Sequence, residues 1–409
     1  MTTNSADDNG DPPLWQYVAI SDYEHPTASV RTISENWLLS LKRWWQPEEP
    51  EEEPFTDIKE LGQLSSEQLA LVAPPPDWQE AATTLLDKLD DWLAAEEPDP
   101  PVIFLVAPPH SDYAHILTLL AEEKEWSVIQ PPTLDEIDAG DPALLLEQML
   151  ADKVWLFPYL ERAFLRHRGG LTLIRRFLQQ VYAGDCRERG LICCDSWAWA
   201  YLQYVWPHRL FGAVTLQAFD QQRLARFFQL QADAAGKRKI AFRESDNGRY
   251  VFTPPTDSEN DPAETSEFLE KLATHSRGIL GIAWAIWRDS LQTRPDDVLA
   301  ESLPDDQEDH SDVTLWLKAW EQINKPALPE GAGHDYAFIL HALLLHKGLT
   351  ADLLIELLPL TFNQVMELLF VLQASGIVIK SDQIWYITPI GYPAVRQFLE
   401  GHGYLVDSF

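Results

Sequence analysis

Residues 102–117 read VIFLVAPPHSDYAHIL. The five apolar residues at 102–106 suit a strand covered on both faces. Pro108-Pro109 bends the chain, and from Tyr113 to Glu123 the apolar spacing turns helical. A strand turning sharply into a helix is common to all doubly wound folds. The turn between them holds no glycine and no lysine.

Outward from this stretch, strand and helix patterns alternate. Further strands are expected at WSVIQ (126–130), VWLF (154–157), LICC (191–194) and AVTLQ (213–217), with helices at 143–150 and 171–181 between them. Upstream, Asp77 and Glu80 cap a helix whose apolar stripe includes Leu85, Leu89 and Trp92. Strands alternating with helices predict a parallel sheet covered on both faces, an α/β domain.

Downstream of a helix at 221–231, KIAFRESDNGRYVFTPP is expected to form a hairpin turning at Asn247-Gly248. Helix is expected over 264–291 and again over 313–324, with an acidic loop, PDDQEDHSD, at 304–312. From Tyr336 the pattern gives three helices, two short strands (GIVIKSDQIWYIT) and a closing helix at 391–399. That order is a winged-helix module.

At the other end, residues 1–30 are rich in Asp and Pro and read as disordered. TISENWLLSLKRWW (32–45) opens with a capping box, Thr32 to Glu35, and puts Trp37, Leu41, Trp44 and Trp45 on one helical face. This face either docks on the protein's own body or meets a partner protein or a membrane interface. The run PEEPEEEP (47–54) that follows is a solvated linker.

Composition narrows the function. The chain has 409 residues, is 45% hydrophobic and carries a net charge of −33. That charge opposes nucleic-acid binding, which draws on clustered Lys and Arg, and reflects either function or a saline habitat. The stretch 162–249 is nevertheless basic, with Arg162, Arg166, Arg175 and Arg176 at its start. No run is long and apolar enough to cross a membrane, and the polar N-terminus is unlike a secretory signal. Three cysteines, with Cys193 and Cys194 adjacent on a strand and facing opposite ways, form no disulfide framework or metal motif, and a cytoplasmic location is expected. No histidine spacing suits a metal, and none of the usual hydrolase motifs occurs.

The order of elements over residues 77–400 resembles the P-loop ATPases of the AAA superfamily. It is most similar to the branch shared with origin-recognition and STAND-type ATPases. The resemblance implies a five-stranded parallel P-loop ATPase-like sheet, a helical lid and a C-terminal winged-helix domain. It also implies four divisions: an acidic N-terminal region with the Trp-rich helix (1–76), an α/β core (77–235), a hairpin plus lid (236–330) and the winged helix (331–409).

The family's phosphate loop needs glycines to bring backbone N–H groups to the phosphates, a lysine for their charge and a hydroxyl for magnesium. At those positions this chain has Ala107, Asp112, Tyr113 and Ala114. At an effective dielectric of about 20, a charge such as that of Asp112 about 4 Å from a phosphate charge costs on the order of 4 kcal/mol. Where the family puts acids after the third strand, the chain has Pro158 and Tyr159. Glu161 lies just beyond and either takes that role or pairs with Arg162 or Arg166. Asp195 and Ser196 fall near the first sensor position, and Arg277, in SRGILG (276–281), falls at the second.

The winged helix offers Asn363 and Gln364 on its third helix but only Lys347, Lys380 and Arg396 against seven acids over 335–409. A protein-docking surface is expected there instead, with Trp385 and Tyr386 as candidates, although alternation turns one of the pair inward. These readings converge on a catalytically inactive AAA-like relative that binds protein partners as a scaffold or regulatory adaptor. It would have no catalytic residue, no metal and no cofactor. The alternatives are a nucleotide-dependent switch that binds ATP through non-standard residues and a DNA-associated regulator.

Overall fold

The computed structural model describes residues 13–26, 61–149, 154–167, 169–183, 189–206, 212–234, 240–252, 266–294 and 313–409. Trp37, Leu41, Trp44, Trp45, the PEEPEEEP linker and the acidic loop 304–312 lie outside the described residues.

The central sheet has six strands: β1 (Tyr17–Ala19), β3 (Val102–Ala107), β4 (Ser127–Val128), β5 (Trp155–Phe157), β6 (Gly190–Asp195) and β7 (Ala213–Leu216). Their order is β1-β7-β3-β6-β5-β4. All neighbours pair in parallel except β1, which runs antiparallel to β7. The five expected parallel strands are joined by an antiparallel sixth, β1, which corrects the strand count and, within residues 13–26, the expectation of disorder. Residues 1–12 and 27–30 lie outside the described residues. Leu14, Trp15 and Tyr17 are buried, and three apolar anchors suffice to hold a short edge strand within an acidic stretch.

Both faces of the sheet are covered. Leu105, Leu156, Leu191 and Cys193 face one core, whereas Phe104, Phe157, Ile192 and Cys194 face the other. The two thiols are free and point to opposite sides, as strand alternation requires. Helices Gln79–Ala94, Tyr113–Lys124, Thr172–Ala183, Ser196–Val205 and Gln221–Ala234 connect and cover the strands. The register pairs Ala107 with Asp195, so β3 and β6 end side by side. The chain leaves β3 toward one edge of the sheet and returns from β6 to its other side, the switch point where open α/β sheets form a crevice.

A second sheet joins β2 (Gly62–Gln63), β8 (Ile240–Glu244), β9 (Leu291–Thr293) and β10 (Val313–Leu317) in the order β2-β9-β10-β8. It overturns one expectation and extends another. The expected return at Asn247-Gly248 is present: Glu244 N–H donates to the Arg249 carbonyl at 3.0 Å and Val251 N–H to the Phe242 carbonyl at 2.9 Å, around the antiparallel bridge Arg243–Tyr250. β8 itself joins the sheet by pairing in parallel with β10. Residues 313–317 form a strand instead of the start of a helix. VTLWL buries Val313, Leu315, Trp316 and Leu317, and so short an apolar run is helix or strand according to its neighbours.

Helices Glu267–Ser276 and Leu280–Ser290 replace the single expected helix. The chain breaks at Arg277 and Gly278, both left-handed, with φ of 56° and 71°. A Cβ at Gly278 would come within 2.8 Å of the Phe219 backbone, so only glycine fits.

The C-terminal unit has helices His334–Leu345, Ala351–Leu357 and Phe362–Ala374, a sheet of β11 (Leu349–Thr350), β12 (Val378–Ser381) and β13 (Ile384–Ile387), and a last helix, Tyr392–Gly401. The sheet order β11-β13-β12 adds a strand to the two expected. Among the described residues, no helix is long and apolar enough to cross a membrane, and no group of His, Cys, Asp or Glu could hold a metal.

Candidate functional site

The crevice at the ends of β3 and β6 is a cleft of about 610 Å³. Four parts of the chain wall it: Pro109 to His115, the stretch around Trp78, helix Leu280–Ser290 through Gly281 and Trp284, and the C-terminal unit through Leu343, Lys347 and Tyr386.

Loop 108–112 is closed by its own geometry. His110 and Asp112 take left-handed conformations, φ of 66° and 49°, although neither is glycine. Such residues sit in a sparsely populated region and are held there by their surroundings. The restraint here is Gly281: a Cβ on it would lie 1.9 Å from the His110 carbonyl oxygen. Helix Leu280–Ser290 therefore presses directly on the loop backbone. Burial, with help from Lys347, pushes the His110 imidazole down to about 3, so it stays neutral.

Behind the loop, the lysine position is taken by Tyr113, whose hydroxyl donates to Glu161 Oε1 at 2.7 Å. The Asp195 backbone N–H donates to Glu161 Oε2 at 3.2 Å. Glu161 is fully buried and its carboxyl faces Tyr113 and Asp195, so the expected pairing with Arg162 or Arg166 does not occur. Arg162 lies over the Tyr159 ring at 4.7 Å, and Arg166 donates to His341 Nδ1 at 2.8 Å. Asp195 caps its helix by accepting from Trp197 N–H. Burial and the nearby Glu161 push the Asp195 carboxyl well above the usual range.

Lys347 brings a cation to this cluster. Lys347 Nζ, from the C-terminal unit, lies 3.8 Å from the Tyr113 ring centre and 5.4 Å from that of Tyr159. It also partly offsets the shift on Asp195. Sequence reasoning missed this residue, since nothing local to Lys347 marks it; only the packing of a distant helix end brings it here.

The remaining candidates separate. Ala107 and Ala114 are buried at the end of β3 and the start of its helix, and Pro158, just past β5, is buried as well. Asp112 and Asp195 line the cleft. Arg277 lies outside that lining: its Nε donates to the Phe409 carbonyl at 2.7 Å, and its Nη2 lies 3.4 Å from His25 Nε2. Trp385 is 1% exposed, packed near Phe370, and has no face to offer a partner. Tyr386 is the outward member of the pair and lines the cleft.

No protein-family profile matches the chain, nor does any curated protein. Among solved structures it is similar to the RuvB Holliday junction branch migration motor of Thermotoga maritima. The identity is 14% over 80% of this chain and 95% of that one, with a TM-score of 0.29. It is also similar to the Walker-type ATPase of Pyrococcus abyssi, with 11% identity over 79% and 96% of the two chains and a TM-score of 0.27. Neither likeness, at such a score, assigns this chain to a family.

Proposed function

We propose that this chain is a relative of the AAA ATPases that has lost nucleotide turnover and works in the cytoplasm as a protein-binding scaffold or regulatory adaptor. The observation that carries the reading is the closed loop at the end of β3. A phosphate cradle needs open backbone N–H groups and a free cation. Here the loop is pressed by Gly281, the lysine position holds a tyrosine bonded to Glu161, and Lys347 lies over that ring.

Three further observations favour a protein partner over nucleic acid. The C-terminal unit reads as a winged helix, and its helix Phe362–Ala374, which carries no basic residue, exposes Phe362 and Phe370, 54% and 56% accessible. Gln364, a candidate base reader, is held in a capping box with Thr361. Arg396 is buried against Asp407, which leaves little cationic surface for a phosphate backbone.

Calorimetry with Mg-ATP is the test, and no binding in the low micromolar range is the expected result. Lys347 gives the rival nucleotide-switch reading a specific cation. Low-micromolar binding that disappears in Lys347→Ala would replace the scaffold reading with that switch.

A further inference from the structure

We propose that the cleft at the end of β3 is a binding site for a small, uncharged, largely apolar molecule that carries one hydrogen-bond acceptor, an aromatic ketone or amide in chemical class. At about 610 Å³ the cleft has the size of small-molecule sites, and it sits where several parts of the fold converge. Its walls are mainly apolar, with Trp78, Trp284, Leu343, Ile379, Tyr386 and Pro389 contributing from separate elements. Trp284 is fixed by donating its indole N–H to the Pro74 carbonyl at 2.8 Å, so that wall is preformed.

The charges in the lining select the ligand. Asp112, Asp195 and Lys347 all line the cleft. Burial beside Glu161 favours the neutral form of Asp195, which leaves Asp112 and Lys347 as the opposed charges. An anion entering meets Asp112 and the field of a chain with net charge −33. A cation entering meets the Lys347 ammonium. A neutral body avoids both penalties and buries apolar area against the aromatic walls. Lys347 has only donors to offer, and its contacts in the structure are with the Tyr113 and Tyr159 rings. A carbonyl oxygen is the group that would use it without bringing charge. The inference goes beyond the scaffold role and does not depend on it, because it asks only what this cleft holds.

The probe is Prodan, an uncharged naphthyl ketone whose emission moves to the blue on leaving water; anilinonaphthalene sulfonate is its anionic counterpart. Titration into the full chain should give saturable one-to-one binding of Prodan with blue-shifted emission, about tenfold tighter than the sulfonate. Ile379 is 53% exposed and lines the cleft, so Ile379→Trp should fill the site without disturbing the core. That variant should weaken Prodan by about tenfold with an unchanged melting temperature. Lys347→Met should weaken Prodan about fivefold and leave dimethylaminonaphthalene, which lacks the ketone, unaffected. Absence of saturable binding, undiminished binding by Ile379→Trp, or tighter binding of the sulfonate would each overturn the proposal, whatever calorimetry with Mg-ATP shows.

Discussion

Asp195 and Ser196 are neighbours at the end of β6, yet they belong to two buried polar clusters built in opposite ways. The Asp195 side crowds carboxyls: Glu161 and Asp195 share one backbone contact, and Lys347 lies on aromatic rings nearby without a direct ion pair. The Ser196 side is matched. Its hydroxyl donates to Asp407, Arg396 pairs with the same carboxyl, and Arg396 Nη2 donates to the Asp407 carbonyl at 2.8 Å. Beyond Asp407, Phe409 is buried with its ring tilted against that of Tyr23, 4.7 Å between centres, while Arg277 holds its carbonyl. The matched cluster ties the last helix, the N-terminal segment and Arg277 to the α/β body. The crowded one also meets the C-terminal unit, through Lys347 over the Tyr113 ring and His346 Nδ1 at 3.3 Å from the Glu161 carbonyl. It nevertheless places two carboxyls together without a matching ion pair, an arrangement expected to cost stability.

The largest test of this contrast is to break the matched pair. Asp407→Ala strands the Arg396 guanidinium at 8% side-chain exposure. The loss should be about 3–5 kcal/mol, read as a lower denaturant midpoint. A cost under about 1 kcal/mol would place this cluster with weakly held surface pairs and dissolve the comparison.

Next in size is the response to acid. Burial holds His110 down to about 3, and His341 and His346 down to about 4, against an ordinary value of 6.5. The folded chain keeps these rings neutral while the unfolded chain takes up protons. Their contribution is therefore intact above 6.5 and is lost as pH falls from 6.5 toward 4. Asp195 works the other way: its raised carboxyl favours the fold on the acid side and opposes it as pH rises. Thermal melts should show stability falling below pH 6.5, with a flatter acid limb in His346→Phe. An acid limb unchanged by that substitution would show that this imidazole charges without cost.

A smaller effect of opposite sign is expected from Asp195→Asn. Asparagine keeps the helix cap to Trp197 and removes a carboxyl that burial and Glu161 disfavour. Stability at neutral pH should rise by about 0.5–2 kcal/mol, and the acid limb should steepen because the opposing slope is gone. Destabilisation at neutral pH would mean that Lys347 needs this charge, and that the cluster is matched after all.

The two clusters also differ in how far the sequence discloses them. The strands β3, β5 and β6 were legible because burial on both faces demands continuous apolar runs such as VIFLV and LICC. Asp195 could be placed because it ends such a run. Glu161 could be placed near the site, but its partner could not, since arginines nearer in sequence offered an equally good pairing. Lys347 and Asp407 carried no local signal: each acts at a residue more than 150 positions away in the chain or across a turn of backbone that only the fold defines. The same limit explains β10: its short apolar run fits a helix as well as a strand, and only its pairing with β8 and β9 decides between them.

The smallest stability effect should come from a surface that belongs to neither cluster. Phe362 and Phe370 lie two helical turns apart on helix Phe362–Ala374, with more than half of each side chain in water. Residues so exposed add little to folding, so the double change Phe362→Ser and Phe370→Ser should shift stability by less than about 0.5 kcal/mol each. Under the scaffold proposal, this apolar pair on an otherwise acidic unit is the candidate contact surface. The double variant should therefore melt like the parent but lose whatever protein the parent retains in pull-downs from native cells. Phe370 also lies 6.1 Å from the buried Trp385 ring, which gives the test its edge. If stability drops by more than about 2 kcal/mol, the pair is a lid on the C-terminal core and not a docking face, and the partner must be sought elsewhere on the chain.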